Sequence, residues 1–421
     1  MKLITPKENI NSVVTIPGSK SLTHRALIAA GLADGKSRLK SFLASEDTLY
    51  TADTLKRLGI DIFIDNHVAY VIGNGGRFKP QSSVQEISLG NSGTSYRLLL
   101  SVAALAHGKY LFTGSNRMKE RPVAHLVEAL KHIGVDAGYT ERNGYPPVII
   151  NASGIKGGRV IIPGNISSQY ISSLLLSGAY AKSDLTIEVS GEVVSQPYID
   201  LTLEVMNAFG IKVEHKDSKI FSISCGQSYS AREYTIDGDV SSASYFWGAA
   251  AITGGTVKTQ NIHPRNTRQG DIGLLDIFKK MGCEVSREDD SVTVRGAHLK
   301  GVNVDMGSMP DMVPTLAVVA LFAEGTTTIS NVSHLKHKES DRIADTANEI
   351  RRIGGRVDER DDGLVIYGGG KLAGAEIDPH NDHRLAMSFA MAGLRVPDIF
   401  IKDEDCVNKS FPHFWDLWET M

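Results

Sequence analysis

Lysine and arginine residues recur in this sequence beside short runs of Ser, Thr, Asn, Asp and Gly that are typical of helix starts. These cations are Lys20, Arg25, Arg97, Arg121, Lys338, Arg342, Arg384 and Lys409. A cation near the N-terminus of a helix is disfavoured by ~0.3–1 kcal/mol, because the helix dipole is positive at that end. Free backbone N–H groups together with Lys and Arg make an anion site. The pattern therefore predicts several helix starts directed at small ligands that carry more than one anionic group.

Two carboxylates near these cations are candidates for proton transfer. Glu339 lies between two of the cations, and Asp311 follows a proline at a predicted helix start. A salt bridge or a helix cap is the simpler alternative for each. His383 either contacts a ligand or supports a neighbouring residue. Two similar polar runs, at residues 45–47 and 239–242, are explained by helix capping alone.

A repeat of about 70 residues must position these side chains. A helix-like segment that ends in an apolar residue and Gly, followed by a strand-like segment, recurs through the chain. The glycines are Gly59, Gly134, Gly210, Gly282 and Gly354, spaced by 75, 76, 72 and 72 residues. Each is predicted to end its helix in the left-handed conformation.

A second helix, made of small and apolar residues, precedes an alternating strand in the same phase. These helices are predicted at His24–Leu32, Tyr96–Ala106, Tyr170–Tyr180, Tyr245–Ile252, Thr315–Phe322 and His383–Leu394. The sequence therefore predicts six α/β units, each with two helices and several short strands. The cations belong to the starts of these helices.

Composition excludes several classes of protein. The 421 residues allow about two or three domains, and a net charge of −3 gives no general positive field for nucleic acid. Three cysteines without a CxxC pair support neither a disulfide framework nor a zinc cluster, so we expect a cytoplasmic protein. The longest apolar run, Leu316–Ala323, is too short to cross a bilayer, so no membrane association is expected.

Known cofactor and metal motifs do not fit. The segment Gly18–Ser21 is similar to the end of a phosphate-binding P-loop, but Ser19 occupies the position before Lys20 where that loop needs glycine. The HExxH, GxSxG and EF-hand patterns do not occur in the sequence. We therefore expect neither a metal nor a cofactor.

Ordered motifs over nearly the whole chain resemble the enolpyruvyl transferase family. They are Ile16–Ser21, Leu89–Thr94, Met118–Pro122, Ser167–Gln169, Lys338–Arg342, Asp382–Arg384 and Lys409–Pro412. The resemblance implies an α/β fold of two domains with three repeated units each and the active site in the cleft between them. It places the first domain at residues 21–238 and the second, discontinuous domain at residues 1–20 and 239–421. We expect a monomer.

Within that family the motifs are most similar to the branch that acts on shikimate 3-phosphate. This implies transfer of the enolpyruvyl group of phosphoenolpyruvate to the 5-hydroxyl of shikimate 3-phosphate, with release of phosphate. By resemblance, shikimate 3-phosphate contacts Lys20, Ser21, Arg25, Ser167, Ser168, Gln169, Ser195, Tyr198, Asp311, His334 and Lys338. Phosphoenolpyruvate contacts Lys20, Gly93, Arg121, Gln169, Arg342, His383, Arg384 and Lys409.

The resemblance also implies catalytic roles for an addition followed by an elimination. Asp311 is the expected base for the hydroxyl, and the acid for the methylene carbon is either Lys20 or Glu339. Two residues depart from the pattern near Gly93, because Tyr96 and Leu98 stand where many members carry Met and Pro. A third, His334, stands where some carry Asn. These departures bear on acceptor contacts and on inhibition by glyphosate, which competes with phosphoenolpyruvate in this family.

Two other functions compete with this one. The sister enzyme that acts on UDP-N-acetylglucosamine shares Arg121-Pro122-Val123, but it usually carries a cysteine in the preceding loop, and residues 114–120 contain none. A repeat-built binding scaffold would present similar surface residues in every unit. Here the helix-start residues differ between units, as an asymmetric active site requires.

Overall fold

A computed structural model describes residues 1–8 and 10–421, which form 13 α-helices, four short 3-10 helices and 23 β-strands. The helices are α1 Lys20–Leu32, α2 Glu46–Arg57, α3 Gly93–Ala104, α4 Asn116–Lys119, α5 Ala124–His132, α6 Ser168–Gly178, α7 Gln196–Ala208, α8 Val240–Thr253, α9 Leu274–Met281, α10 Val313–Ala320, α11 Arg342–Arg352, α12 His383–Gly393 and α13 Phe414–Glu419. The 3-10 helices are Gly270–Gly273, Pro310–Met312, Ser333–His337 and Glu404–Lys409.

The strands, like the helices, are distributed along the whole chain. They are β1 Lys2–Leu3, β2 Asn11–Thr15, β3 Asp34–Lys40, β4 Asp61–Asp65, β5 Val68–Asn74, β6 Gln85–Ser88, β7 His107–Thr113, β8 Asp136–Tyr139, β9 Val148–Ser153, β10 Gly158–Pro163, β11 Leu185–Ser190, β12 Glu214–Lys216, β13 Ile220–Ile223, β14 Glu233–Thr235, β15 Thr256–Gln260, β16 Glu284–Arg287, β17 Ser291–Arg295, β18 Asn303–Asp305, β19 Thr326–Ser330, β20 Arg356–Arg360, β21 Gly363–Tyr367, β22 Glu376–Ile377 and β23 Phe400–Ile401.

In the described chain these strands make six small sheets, five of four strands and one of three, and each contains a parallel pair beside an antiparallel pair. The second sheet, in the order β6-β7-β9-β8, is representative: β6 and β7 are parallel and are joined across α3, and β7, β9 and β8 are antiparallel. A parallel pair needs such a crossover helix, whereas the antiparallel pair β8 and β9 needs only a turn. The six sheets confirm the six α/β units that the sequence predicts.

Three of the sheets contain a strand that pairs with a partner far away in the sequence. The edge strand β14 pairs with β3, and β2 pairs with β15, both in parallel. The first strand, β1, pairs antiparallel with β23. The pairings of β1 and β2 join the N-terminal residues to the C-terminal part of the chain.

The chain divides into two compact units, which we call the central unit, residues 18–236, and the terminal unit, residues 1–17 and 237–421. Each has its own hydrophobic core. In the central unit the core surrounds α1, α3 and α6, and in the terminal unit it surrounds α8, α10 and α12. A helix that is buried on nearly all sides carries small and apolar residues all round, and the charged residues of these helices lie in their first two turns.

The second helix of each of the first five units ends as predicted. Gly59, Gly134, Gly210, Gly282 and Gly354 have φ angles of +88°, +86°, +91°, +117° and +82°. Glycine adopts this left-handed conformation without the penalty that a Cβ would bring. Among the residues that the structure describes, we find no helix with the length and apolar character needed to cross a membrane.

Candidate active site

In the central unit, the first residue of α1 is a buried lysine paired with a buried aspartate. Lys20 Nζ donates to Asp47 Oδ2 at 3.1 Å. Asp47 lies in the first turn of α2, where Ser45 and Thr48 form a capping box. Capping therefore explains Ser45 as predicted, but it does not explain Asp47, which provides the negative charge beside Lys20.

Arg25 joins the starts of three helices. Its guanidinium donates to Ser21 O in α1 at 2.8 Å, and to Tyr198 O and Thr202 Oγ1 in α7 at 3.0 and 2.8 Å. It also reaches Ser172 Oγ in α6 at 3.4 Å. These partners are neutral oxygens, and burial lowers the pKa of Arg25 to about 10. The side chain stays charged at neutral pH, so a buried positive charge is available here to an anion.

The starts of α3 and α6 are joined by Gln169. Its Nε2 donates to Thr94 Oγ1 at 3.0 Å, and its Oε1 accepts from Arg97 Nη1 at 2.7 Å. Ser167 caps α6, since its Oγ accepts from Gln169 N at 3.3 Å. Ser168 is the first residue of α6. The predicted serine and glutamine ligands therefore lie together at one helix start.

Gly93 makes room for a neighbouring arginine. A Cβ at Gly93 would lie 2.4 Å from Arg121 Nη2. Arg121 is buried and donates to Asn91 O at 2.9 Å, which fixes its guanidinium at the start of α3. Tyr96 and Leu98, one turn further along α3, are wholly buried in the core, and Tyr96 OH donates to Phe112 O at 2.9 Å.

In the terminal unit, three cations converge on Asp311. This residue follows Pro310 in the 3-10 helix that leads into α10, at a helix start as predicted. Asp311 Oδ2 accepts from Arg384 Nη2 at 2.7 Å. Its Oδ1 accepts from Arg342 Nη1 at 2.9 Å and from Lys338 Nζ at 3.4 Å. Burial opposes ionisation, but the three cations outweigh it and hold the pKa of Asp311 well below its ordinary value.

Arg342 is buried and hydrogen-bonded to three carboxylates. Besides Asp311, its Nε donates to Asp382 Oδ2 at 2.7 Å and its Nη2 donates to Glu339 Oε2 at 2.9 Å. Asp382 is itself buried and caps α12 by accepting from Arg384 N at 3.0 Å. In the terminal unit, the chain's own carboxylates therefore offset part of the charge of these cations.

The terminal unit also holds two histidines and a lysine that were predicted to contact substrates. His334 Nε2 is buried with no hydrogen-bond partner among residues 1–8 and 10–421. Burial, with a smaller effect of Lys338, lowers the pKa of His334 to about 4, so its ring is neutral at physiological pH. His383 is buried at the start of α12, 3.7 Å from Asp382 by its Nδ1. Lys409 is buried at the end of the 3-10 helix Glu404–Lys409, which packs on α12.

The predicted residues thus fall into two sets, one in each unit. The central set comprises Lys20, Ser21, Arg25, Gly93, Arg121, Ser167, Ser168, Gln169, Ser195 and Tyr198, of which Ser195 is buried and left-handed, with φ +55°, directly before α7. The terminal set comprises Asp311, His334, Lys338, Glu339, Arg342, His383, Arg384 and Lys409. The structure adds Asp47 and Asp382 to these sets. Sequence analysis did not single them out, because both lie in polar runs that are typical of helix caps.

Comparison with known proteins agrees with this architecture. The sequence profile of the EPSP synthase (3-phosphoshikimate 1-carboxyvinyltransferase) family matches residues 4–418. A 3-phosphoshikimate 1-carboxyvinyltransferase of Sulfurovum sp. (strain NBC37-1) is 42% identical over 421 residues, covering 99% of this chain and 98% of its own. One from Vibrio atlanticus (strain LGP32) is 42% identical over 416 residues, covering 98% and 97%. The solved structure of an EPSP synthase from Acinetobacter baumannii superimposes with a TM-score of 0.83 at 30% identity, covering 99% and 97%.

Six α/β repeats with cations at buried helix starts are the features of an enolpyruvyl transferase. The chain belongs to the EPSP synthase family. Its reaction transfers the enolpyruvyl group of phosphoenolpyruvate to shikimate 3-phosphate in the shikimate pathway. The sister reaction on UDP-N-acetylglucosamine and a purely structural repeat protein are thereby excluded.

Proposed function

We propose that Asp311 accepts the 5-hydroxyl proton of shikimate 3-phosphate while Arg342, Arg384 and Lys409 bind phosphoenolpyruvate. The observation that carries this proposal is the convergence of Arg342, Arg384 and Lys338 on Asp311. An ionised carboxylate has the protonation state that a base requires. Anionic substrates compete with Asp311 for these cations. Substrate binding therefore weakens the interaction of the cations with Asp311 and makes Asp311 a stronger base. A phosphate-release assay with both substrates tests the reaction, and the Asp311 variant discussed below tests the role.

The central set binds the remaining anionic groups in this proposal. Arg25, Ser167, Ser168, Gln169, Ser195 and Tyr198, together with Lys20 and Ser21, hold shikimate 3-phosphate. His334 and Lys338 of the terminal unit contact the same substrate, and His383 contacts phosphoenolpyruvate. Arg25 supports the assignment most strongly, because its buried charge is surrounded by neutral oxygens. A phosphate dianion is the class of ligand that offsets such a charge.

Replacing Arg25 by glutamine is expected to raise the KM for shikimate 3-phosphate by ~10–100-fold, the scale of one or two lost hydrogen bonds to a charged group. The KM for phosphoenolpyruvate should change far less. Steady-state kinetics in each substrate measure both constants. Arg38→Gln is the control, because Arg38 is a half-exposed residue on β3 that pairs with Glu233 at 3.3 Å. Equal increases in the two KM values would remove Arg25 from the shikimate 3-phosphate site.

Gly93→Ala is expected to raise the KM for phosphoenolpyruvate, because the new methyl group must displace the Arg121 guanidinium. Glyphosate is longer than phosphoenolpyruvate and should lose more from this shift, so its inhibition constant should rise by a larger factor. Inhibition kinetics against phosphoenolpyruvate test the comparison. Gly138→Ala is a matched control, because the nearest atom to a Cβ there is 3.9 Å away. Equal factors for the two ligands would show that Gly93 does not discriminate between them.

Lys20 is the proposed acid for the methylene carbon, in preference to Glu339. Lys20 Nζ is a hydrogen-bond donor to Asp47, whereas Glu339 Oε2 is a hydrogen-bond acceptor from Arg342. The acid protonates C3 of phosphoenolpyruvate during addition, and loss of a C3 proton completes elimination. In heavy water this sequence places deuterium in the methylene group of recovered phosphoenolpyruvate.

Lys20→Met should therefore slow that exchange by ~100-fold or more, the scale of lost general acid catalysis. Glu339→Gln should retain measurable exchange. Lys56→Met, on an exposed position of α2, is the control for loss of a lysine. Mass spectrometry of phosphoenolpyruvate gives the rate. Exchange that survives in Lys20→Met and disappears in Glu339→Gln would assign the acid to Glu339.

We further propose that the protein is a cytoplasmic monomer and that its two domains comprise residues 21–238 and residues 1–20 with 239–421. The cysteine pattern and the biosynthetic reaction support the cytoplasm. Separate hydrophobic cores in the central and terminal units support two domains. Light scattering with size-exclusion chromatography tests the monomer, and limited proteolysis near residues 18–21 and 236–239 tests the domain boundaries.

A further inference from the structure

Asp271 is a buried carboxylic acid that the proposed chemistry leaves unused. It lies in the 3-10 helix Gly270–Gly273 of the terminal unit, and its side chain is buried. Ser241 Oγ, in the first turn of α8, donates to Asp271 Oδ2. The other oxygen, Oδ1, is buried without a hydrogen-bond partner in the part of the chain that the structure describes. A buried polar atom of this kind is rare enough in folded proteins to require an explanation.

Gln269, two residues before Asp271, anchors this segment of the chain. Gln269 Oε1 accepts from Val240 N at 3.1 Å, and its Nε2 donates to Gly238 O at 2.8 Å. These bonds tie the segment before the 3-10 helix to the start of α8. Asp271 therefore has a defined position relative to α8, and α8 also packs on the 3-10 helix that holds Asp311.

Charged groups from three elements act on Asp271. They are Asp311 from the 3-10 helix Pro310–Met312, Arg384 from α12 and Asp239 from the start of α8. Burial, followed by the repulsion from Asp311, raises the pKa of Asp271 to about 7 against the opposing effect of Arg384. Arg384 thus attracts Asp271 electrostatically while it donates a hydrogen bond to Asp311 at 2.7 Å. With this pKa, the charge of Asp271 changes near neutral pH.

We propose that Asp271 is a positioning residue whose charge sets how firmly Arg384 is bound to Asp311. When Asp271 is ionised, it attracts Arg384 and repels the charge on Asp311, so Asp311 is the stronger base. When Asp271 is protonated, Arg384 is held by Asp311 alone and Asp311 is the weaker base. The proton that Asp271 releases passes to solvent. This inference rests on the proposed roles of Asp311 and Arg384.

The first test needs no substrate. Between the ordinary aspartate pKa of 3.8 and the folded value of about 7, the unfolded chain has lost a proton that the folded chain keeps. Asp271 therefore makes the protein less stable as pH rises through this interval. The unfolding temperature of the wild type should fall relative to that of Asp271→Asn between pH 5 and pH 8. A constant difference over this range would show that Asp271 does not change charge there and would overturn the inference.

The second test follows kcat/KM for phosphoenolpyruvate against pH. The wild type should show a several-fold rise centred near pH 7 that Asp271→Asn lacks. Ser241→Ala removes a hydrogen bond that favours the ionised form, so it should move this rise to higher pH. Asp276→Asn, an exposed aspartate on α9 paired with Arg287, should leave the rise in place.

Each outcome of the second test is decisive. A wild-type profile without the rise, a rise retained in Asp271→Asn, or a rise that does not move in Ser241→Ala would overturn the inference. The Ser241 variant tests the inference even where Asp271→Asn fails to fold. Normal turnover in Asp311→Asn would instead refute the proposed function, while the unfolding comparison would still report the charge of Asp271.

Discussion

Asp311→Asn is expected to lower kcat by ~100-fold or more, because loss of a general base typically costs a factor of that size. The KM values for both anionic substrates should stay constant or fall. In the wild type, Asp311 accepts hydrogen bonds from Arg342, Arg384 and Lys338 and so competes with substrates for these cations. The amide has no charge with which to compete. A fall in kcat without a rise in KM is the signature of a group that acts in the transition state.

The measurements for this variant are steady-state phosphate release and calorimetric titration with shikimate 3-phosphate. Asp276→Asn makes the same chemical change on an exposed face of α9 and should leave both unchanged. Near-normal turnover in Asp311→Asn would assign the base to another residue. A higher KM at unchanged kcat would restrict Asp311 to substrate binding.

The repeated architecture could be predicted from sequence because its signals are local. The second helix of each of the first five units ends in a left-handed glycine, and the core helices are made mostly of small and apolar residues, so both features can be recognised in short segments. The predicted helix at Tyr245–Ile252 lies inside the observed Val240–Thr253, for example. The pairings of β1, β2 and β14 could not be predicted, because their partners are far away in the chain and such short strands carry little pattern of their own.

The residues of the candidate site also divide into those that the sequence predicts and those that it does not. The cations were visible because a lysine or arginine at a helix start conflicts with the local dipole. Asp311 and Glu339 were also recognised beside the cations, but Asp47 and Asp382 were not, because an aspartate at a helix start already has a sufficient local explanation. Asp382 has both functions, since it caps α12 through Arg384 N and also binds Arg342. Only the contact between Asp382 and Arg342 in the structure distinguishes the second function from helix capping.

Replacing Arg342 would measure how much its pairing with the buried carboxylates contributes to stability and to activity. Arg342→Met is expected to lower the free energy of unfolding by ~3–5 kcal/mol, because it leaves buried carboxylates without their partner. It should also lower kcat/KM for phosphoenolpyruvate by ~100-fold, the scale of lost charged hydrogen bonds. Arg342→Lys keeps one charge but lacks the planar fork that reaches several carboxylates at once, so it should recover only part of both losses. Arg351→Met, on the exposed side of α11, removes a surface ion pair and should change the stability by less than ~1 kcal/mol.

A double-mutant cycle with Asp382→Asn separates the structural role of Arg342 from its role in binding. Asparagine still caps α12 but removes one of the three carboxylates that Arg342 offsets. The double variant should therefore lose less free energy of unfolding than the two single variants lose together. Its kcat/KM for phosphoenolpyruvate should stay low. Denaturant unfolding and steady-state kinetics on the same four proteins measure the two quantities. Recovery of activity together with stability would mean that Arg342 serves only to offset buried carboxylates, and its assignment to phosphoenolpyruvate would then be wrong.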